Sequence, residues 1–290
     1  MWAPFHSAFV RSQMAHVVLV PAVAAGLVAL SARALSASAP RLARCLAALA
    51  VPVAFLAGYF VIYRNFTFPP ETVLSWVPVF VAALAVIAST PGRAGTPVRA
   101  RVLPIAVAAC AVVALLYPIL ERERLLAAIE AWAAATAVWS SLWVTASAPD
   151  DDRGALAAVL VVGASGLAVV APLSGSILLG ELAAALAVAL VAAWVLAGFH
   201  GGAGLSDAAR ASAAFAAGAV LLDLRFYAGA GGGITLAFVA SFALGFGAVL
   251  LRGRRAPHPW ATLVPAMLAS VPVMIAVAIA VRAAHLSGGY

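Results

Sequence analysis

The fold of this chain is decided by residues 154–198, which read GALAAVLVVGASGLAVVAPLSGSILLGELAAALAVALVAAWVLAG. The stretch holds one charged residue, Glu181. It is too long to cross a bilayer once, because about 20 apolar residues span the hydrocarbon core. Residues 172–176, PLSGS, combine Pro, Gly and Ser and therefore predict a tight turn between two crossings. A break within a re-entrant element is the alternative.

The same kind of apolar block recurs along the whole chain. Apolar residues make up 66% of the 290 residues and charged residues 9%. A soluble domain is excluded, because helices that are apolar all round have no polar face to show to water. We predict an all-α, polytopic membrane bundle of ten transmembrane helices, forming a single transmembrane domain over residues 1–290. The predicted spans are 14–33, 42–62, 72–90, 102–120, 125–147, 154–173, 176–198, 208–224, 233–251 and 260–282.

The acidic run at residues 150–152 divides these spans into two sets of five, within halves 1–149 and 150–290. Because five is an odd number, the two halves would run in opposite directions, which is the arrangement of inverted-repeat transporters. The sequences of the halves show no convincing similarity, so this division rests on the span count alone.

Arginine placement predicts the orientation, because cytoplasmic loops carry an excess of positive charge. All 17 basic residues are Arg, and ten spans put three Arg clusters on one side of the membrane. The clusters are Arg33, Arg41 and Arg44; Arg93, Arg99 and Arg101; and Arg252, Arg254 and Arg255. We therefore expect a bacterial cytoplasmic (inner) membrane protein with both termini outside. The first span should be retained rather than cleaved, since Arg residues follow it directly.

Acidic residues show the opposite bias, which predicts an acidic vestibule on the outer face. Its members are Glu71, Glu121, Glu123, Glu130, Glu181 and Asp223. Glu130 and Glu181 lie inside spans five and seven, near their outer ends. At about 1.5 Å per residue, each is roughly 8 Å below the outer end of its span. An ionised carboxylate at that depth is costly unless it faces protein, water or a cation. We expect both to face the bundle interior as candidate substrate- or ion-binding residues. The alternative is that each reaches the headgroups or bonds a neighbouring helix.

Two further candidate binding residues, Asp223 and Arg225, lie at the outer end of span eight, before a glycine-rich loop. The pattern predicts a local ion pair at a helix end. The alternative is a loop whose backbone approaches a ligand closely, as glycine permits.

Three tryptophans recur on span five. Trp132, Trp139 and Trp143 are separated by seven and four residues, which aligns them on one helix face. This face is a candidate contact for lipid or for a partner chain. Helix packing, or a groove for a pigment or quinone, are the alternatives.

No nucleotide-binding motif, metal-ligand cluster or nucleophile arrangement stands out in the sequence. We expect neither catalytic residues nor a metal or cofactor. The expected partners are the lipid bilayer and other membrane subunits, and not nucleic acid, because topology accounts for the basic residues. Two functions remain open. The first is a small-solute permease with an acidic outer vestibule, and the alternative is a non-catalytic subunit or anchor of a larger membrane complex.

Overall fold

The computed structural model describes residues 8–68, 70, 72–89, 97–122, 125–146, 153–198, 205–252 and 260–286. Within these ranges the chain is all-helical, and each predicted span coincides with one helix. The helices are α1 (Ala8–Ala34), α2 (Pro40–Ile62), α3 (Val73–Ser89), α4 (Pro97–Leu120), α5 (Leu125–Ala146), α6 (Arg153–Leu173), α7 (Ile177–Gly198), α8 (Asp207–Phe226), α9 (Gly232–Arg252) and α10 (Trp260–Leu286).

Six of these helices are long and apolar enough to cross a membrane, namely α1, α2, α6, α7, α9 and α10. This supports a multi-pass membrane protein. Among the remaining helices, α8 carries two Asp and two Arg residues, and α3 has 17 residues. Ten crossings, the orientation and the division into halves stay predictions.

The tight turn predicted between the two crossings of residues 154–198 is confirmed. Helix α6 ends at Leu173 and α7 begins at Ile177. The backbone N–H of Ser176 donates to the carbonyl of Ala171 at 2.9 Å. Gly175 has φ +93°, a left-handed conformation that favours glycine, so the chain reverses within three residues.

Helix α8 is the centre of the bundle. Every residue from Ala209 to Leu224 is buried, and α8 packs against α2, α3, α5, α6 and α7. Ala is its most frequent residue, so neighbouring backbones approach it closely. Around it, α1 packs on α2 and α7, α6 on α7 and α10, and α9 on α10.

One end of the bundle, where α8 finishes, is called the Asp223 end. The Tyr59 hydroxyl, near the end of α2, is close enough to the Asp223 carboxylate to interact with it electrostatically. The loop after α8 contacts the last turns of α4, α6 and α10. The helices with even numbers therefore finish together, as alternating crossings require. The opposite end, where α8 begins, is called the Arg210 end.

Large apolar side chains stay exposed on the perimeter. On α10, Met267, Val271 and Met274 are 66%, 58% and 65% exposed. Their spacing of three to four residues makes a continuous stripe along the helix. A stripe of this kind is unfavourable in water and suits the acyl chains of a bilayer.

Candidate functional site

Asp223 lies in the last turn of the central helix α8, and its side chain is 2% exposed. Its backbone carbonyl accepts a hydrogen bond from the N–H of Tyr227 at 2.8 Å, which ends the helix. Among the described residues, neither carboxylate oxygen has a hydrogen-bond partner. Buried polar atoms in proteins almost always have such partners. An ionised, unpaired carboxylate in the interior is strongly unfavourable, so the position needs a functional explanation.

Two tyrosines lie at the same end, Tyr59 in α2 and Tyr63 directly after it. The Tyr59 hydroxyl, fully buried, donates to the carbonyl of Leu74 on α3 at 2.7 Å. It also lies within electrostatic range of the Asp223 carboxylate. Tyr63 follows one turn later, with its ring centroid 5.6 Å from that of Tyr59. A buried tyrosine therefore lies near Asp223, and a second tyrosine packs against the first.

A chain of hydroxyls continues from these tyrosines into the start of α3. The hydroxyl of Tyr63 and Oγ1 of Thr72 are 3.0 Å apart, and Thr72 Oγ1 lies 2.7 Å from Oγ of Ser75. Thr72 is exposed, whereas Ser75 is fully buried. The chain therefore leads from the protein surface into the bundle.

Tyr227, the residue after α8, holds the following loop against α4. Its hydroxyl donates to the carbonyl of Leu115 at 2.6 Å. Burial, with a smaller contribution from the nearby Asp223 carboxylate, raises the pKa of the Tyr227 phenol to about 12. Tyr227 therefore stays a neutral hydrogen-bond donor at physiological pH.

Asp223 and Arg225 do not form the predicted ion pair. The Arg225 guanidinium donates from Nη1 to the carbonyl of Ala230 at 3.1 Å and lies 5.9 Å from the ring centroid of Phe226. The prediction was wrong because residues two apart on a helix point to different sides. Asp223 points into the core and Arg225 toward the loop.

The glycine-rich loop after α8 forms one wall of a groove of about 430 Å³. Backbone and small side chains line most of it, at the α6–α7 turn, residues 229–231 and the end of α10. Gly229 has φ +69°, a conformation that side chains disfavour. The groove is adjacent to the loop that Arg225 fixes, and no charged side chain lines it.

The carboxylates predicted for the vestibule differ in how deeply they are buried. Glu130 is exposed on α5, so the expectation that it faces the interior is wrong. The buried side of α5 carries Trp139, nine residues from Glu130. At about 100° per residue, this separation places Glu130 on the opposite face of the helix. Glu181 is half-buried on α7, and Glu121 is exposed. Glu71 and Glu123 lie outside the described residues.

The tryptophans of α5 pack inside the protein. Trp139 is 1% exposed, and its indole Nε1 donates to the carbonyl of Phe215 on α8 at 2.9 Å. Trp132 is half-buried and donates to the carbonyl of Ala109 on α4 at 3.2 Å. The Trp143 side chain lies outside the described residues. A lipid or partner face centred on Trp139 is therefore wrong, because α8 covers it.

Two residues of interest escaped the sequence reasoning. Arg210, which lies at the start of predicted span 208–224, is fully buried in the first turn of α8 and pairs with the exposed Asp207. The spacing of three residues on one helix face was the available signal. Tyr59 had no signal, because its neighbours Gly58 and Phe60 look like any other part of a span.

No family model matches this chain, and no curated protein matches it. The function therefore has to be argued from the residues around Asp223.

Proposed function

We propose that the protein is a small-solute permease whose binding site lies around Asp223. The observation that carries the proposal is a buried carboxylate without a hydrogen-bond partner among the described residues, in the central helix of an apolar bundle. A carboxylate with a purely structural role would be expected to have partners. Ionisable residues inside membrane bundles usually belong to substrate, ion or proton pathways.

The position of Asp223 between helices of both predicted halves supports this function. Helix α8 belongs to the second half, and it packs against α2, α3 and α5 of the first. Tyr59, from α2, lies within range of the carboxylate. Transporters built from two halves place their sites at such a junction.

The second function, a non-catalytic subunit or anchor, loses the partner face that the sequence suggested, because Trp139 lies in the interior. The exposed apolar stripe on α10 suits lipid as well as a partner helix. The permease is therefore the function that the site favours.

Uptake into liposomes tests the proposal. The purified protein is reconstituted and offered radiolabelled amino acids, sugars, nucleosides and small organic acids in turn. We expect one class to accumulate with the wild type and with Glu121→Gln, whose exposed carboxylate follows α4 and serves as the matched control. Asp223→Asn should lose most of that uptake.

Two results would overturn the permease. One is wild-type uptake by a folded Asp223→Asn protein. The other is no uptake of any class by a protein that purifies with another membrane chain in fixed stoichiometry, and this result would establish the subunit function.

A further inference from the structure

We infer that Asp223 is a proton-binding site, at which the carboxylate takes up a proton from water at the Asp223 end of the bundle and releases it during the transport cycle. The inference rests on the proposed permease function for its role in coupling. Proton binding itself depends only on the geometry around the carboxylate. The step is a simple exchange between carboxylate and carboxylic acid, with water as the source and acceptor of the proton.

The neighbouring hydroxyls leave the carboxylate without a donor. Tyr59 gives its proton to the carbonyl of Leu74 at 2.7 Å, and Tyr227 gives its own to the carbonyl of Leu115 at 2.6 Å. Both phenols lie in electrostatic range of Asp223. Since these hydrogen bonds are directed elsewhere, a bound proton is the simplest way to neutralise the buried charge.

The titratable groups on the surrounding elements supply no compensating charge. Helix α2 contributes Tyr59, Tyr63 follows the helix, and the loop after α8 contributes Tyr227. The hydroxyls of Tyr59 and Tyr227 are neutral hydrogen-bond donors. The described parts of α3, of α6 after Arg153 and of α9 before Arg252 contain no titratable side chain. On α4, Tyr117 is exposed. On α5 and α7, Glu130 is exposed and Glu181 is half-buried.

The basic residues of α8 are committed to other groups. Arg225 is turned toward the carbonyl of Ala230. Arg210 pairs with Asp207 at the far end of the helix. Neither described arginine of α8 is therefore placed to hold Asp223 in its ionised form.

A metal cation fits the site less well than a proton. Sodium, calcium and magnesium need several oxygen ligands, whereas a proton needs only one carboxylate. Within the described ranges, no group of three or more His, Cys, Asp or Glu residues could hold a metal ion. The donor set at Asp223 is a single carboxylate.

The hydrogen-bonded hydroxyls of Tyr63, Thr72 and Ser75 give water a polar path into the start of α3, next to Tyr59. Thr72 is the exposed member of this set and Ser75 is the buried member. Polar and ionisable residues inside membrane bundles commonly mark proton pathways. These three hydroxyls lie at the Asp223 end of the bundle.

Infrared difference spectroscopy of the purified full-length protein tests the inference without any solute. We expect the wild type near neutral pH to show the C=O stretching band of a protonated carboxyl, shifted by deuterium oxide and converted to carboxylate bands at alkaline pH. Asp223→Asn should lose this band. Glu121→Gln and Glu130→Gln, which remove exposed carboxylates, should retain it. If Asp223→Asn fails to fold, Asp223→Glu serves instead, and the band should move rather than vanish.

Three outcomes are decisive. A folded Asp223→Asn protein with the wild-type carboxyl band overturns the proton site. So does a carboxylate that is ionised at neutral pH and changes its bands on addition of sodium ions. A protonated Asp223 in a protein that moves no solute of the panel and purifies with another membrane chain in fixed stoichiometry leaves the proton site standing and overturns the permease.

Discussion

Trp139 joins α5 to the centre of the bundle. Its indole packs against the Phe215 ring, with 4.1 Å between the ring centroids and 34° between the ring planes, and donates a hydrogen bond to the carbonyl of that residue. The ring also lies directly over Gly218. One large side chain thus combines apolar packing with a satisfied polar group, which is the usual requirement for a buried Trp.

Replacing Trp139 with Ala should lower the free energy of unfolding by about 3–5 kcal/mol, because a large cavity is left between α5 and α8. Denaturant unfolding in detergent measures the change. Leu126→Ala, at a position on the same helix that is 76% exposed, is the control and should change stability little. Equal stability of the Trp139→Ala and Leu126→Ala proteins would show that the indole does not hold the two helices together.

The sequence predicted which tryptophans share a face, but not what that face contacts. A helical period of 3.6 residues places Trp132 and Trp139 on one side of α5. In a membrane protein, lipid and protein interior are equally apolar, so the identity of the neighbour is not encoded in hydrophobicity. The same limit applied to Asp223, whose burial depends on helices that are distant in sequence.

At the scale of the element, α8 depends on small residues where other helices cross it. A Cβ atom built at Gly218 would lie 2.4 Å from Cδ1 of Trp139, well inside van der Waals contact. Glycine is required here for close approach rather than for backbone freedom. Gly247 on α9, by contrast, has open space around its Cα.

Gly218→Ala should therefore destabilise the protein by roughly 1–3 kcal/mol, as overpacking in a core does. Gly247→Ala is the matched control and should be neutral or slightly stabilising, since Ala favours helix over Gly. Thermal unfolding in detergent compares the two variants. If the Gly218→Ala and Gly247→Ala proteins have the same melting temperature, the close contact with Trp139 is contradicted. Adding Trp139→Phe should recover part of the loss if the indole is the obstructing group.

Helix boundaries were well predicted, because long apolar blocks end where Arg, Pro and Gly appear. The central place of α8 could not be predicted from the same signal. Its 20 residues include charged groups near both ends, at Asp207 and Arg210 and at Asp223 and Arg225. These charges suggested a short span with polar ends, whereas packing by five other helices buries two of them.

At the scale of the molecule, alternating helix directions place the turns at two ends. Ser36, in the α1–α2 connection, is exposed and follows Arg33. Arg122 and Gly231 are exposed in the connections after α4 and α8. If all ten helices cross the membrane, Arg122 and Gly231 lie on one side and Ser36 on the other.

Single cysteines at these positions test the topology, in a background in which Cys45 and Cys110 are replaced by Ala. We expect a membrane-impermeant maleimide, added to intact spheroplasts, to label Arg122→Cys and Gly231→Cys but not Ser36→Cys, because Arg-rich connections face the cytoplasm. Labelling of Ser36→Cys alone would reverse the orientation. Different labelling at Arg122→Cys and Gly231→Cys would contradict ten crossings.

The burial of α8 on all sides also bears on how the chain is made. Charged residues resist transfer into lipid, each by about 2.5–3.5 kcal/mol at the centre of a span and less near its ends. Helices α2, α3, α5, α6 and α7, which surround α8, all precede it in the chain. When α8 leaves the ribosome, its surroundings have already been synthesised. We therefore expect α8 to insert into the membrane poorly as an isolated segment and efficiently when the preceding helices are part of the same chain. During biogenesis, the earlier helices would then provide the environment that receives α8.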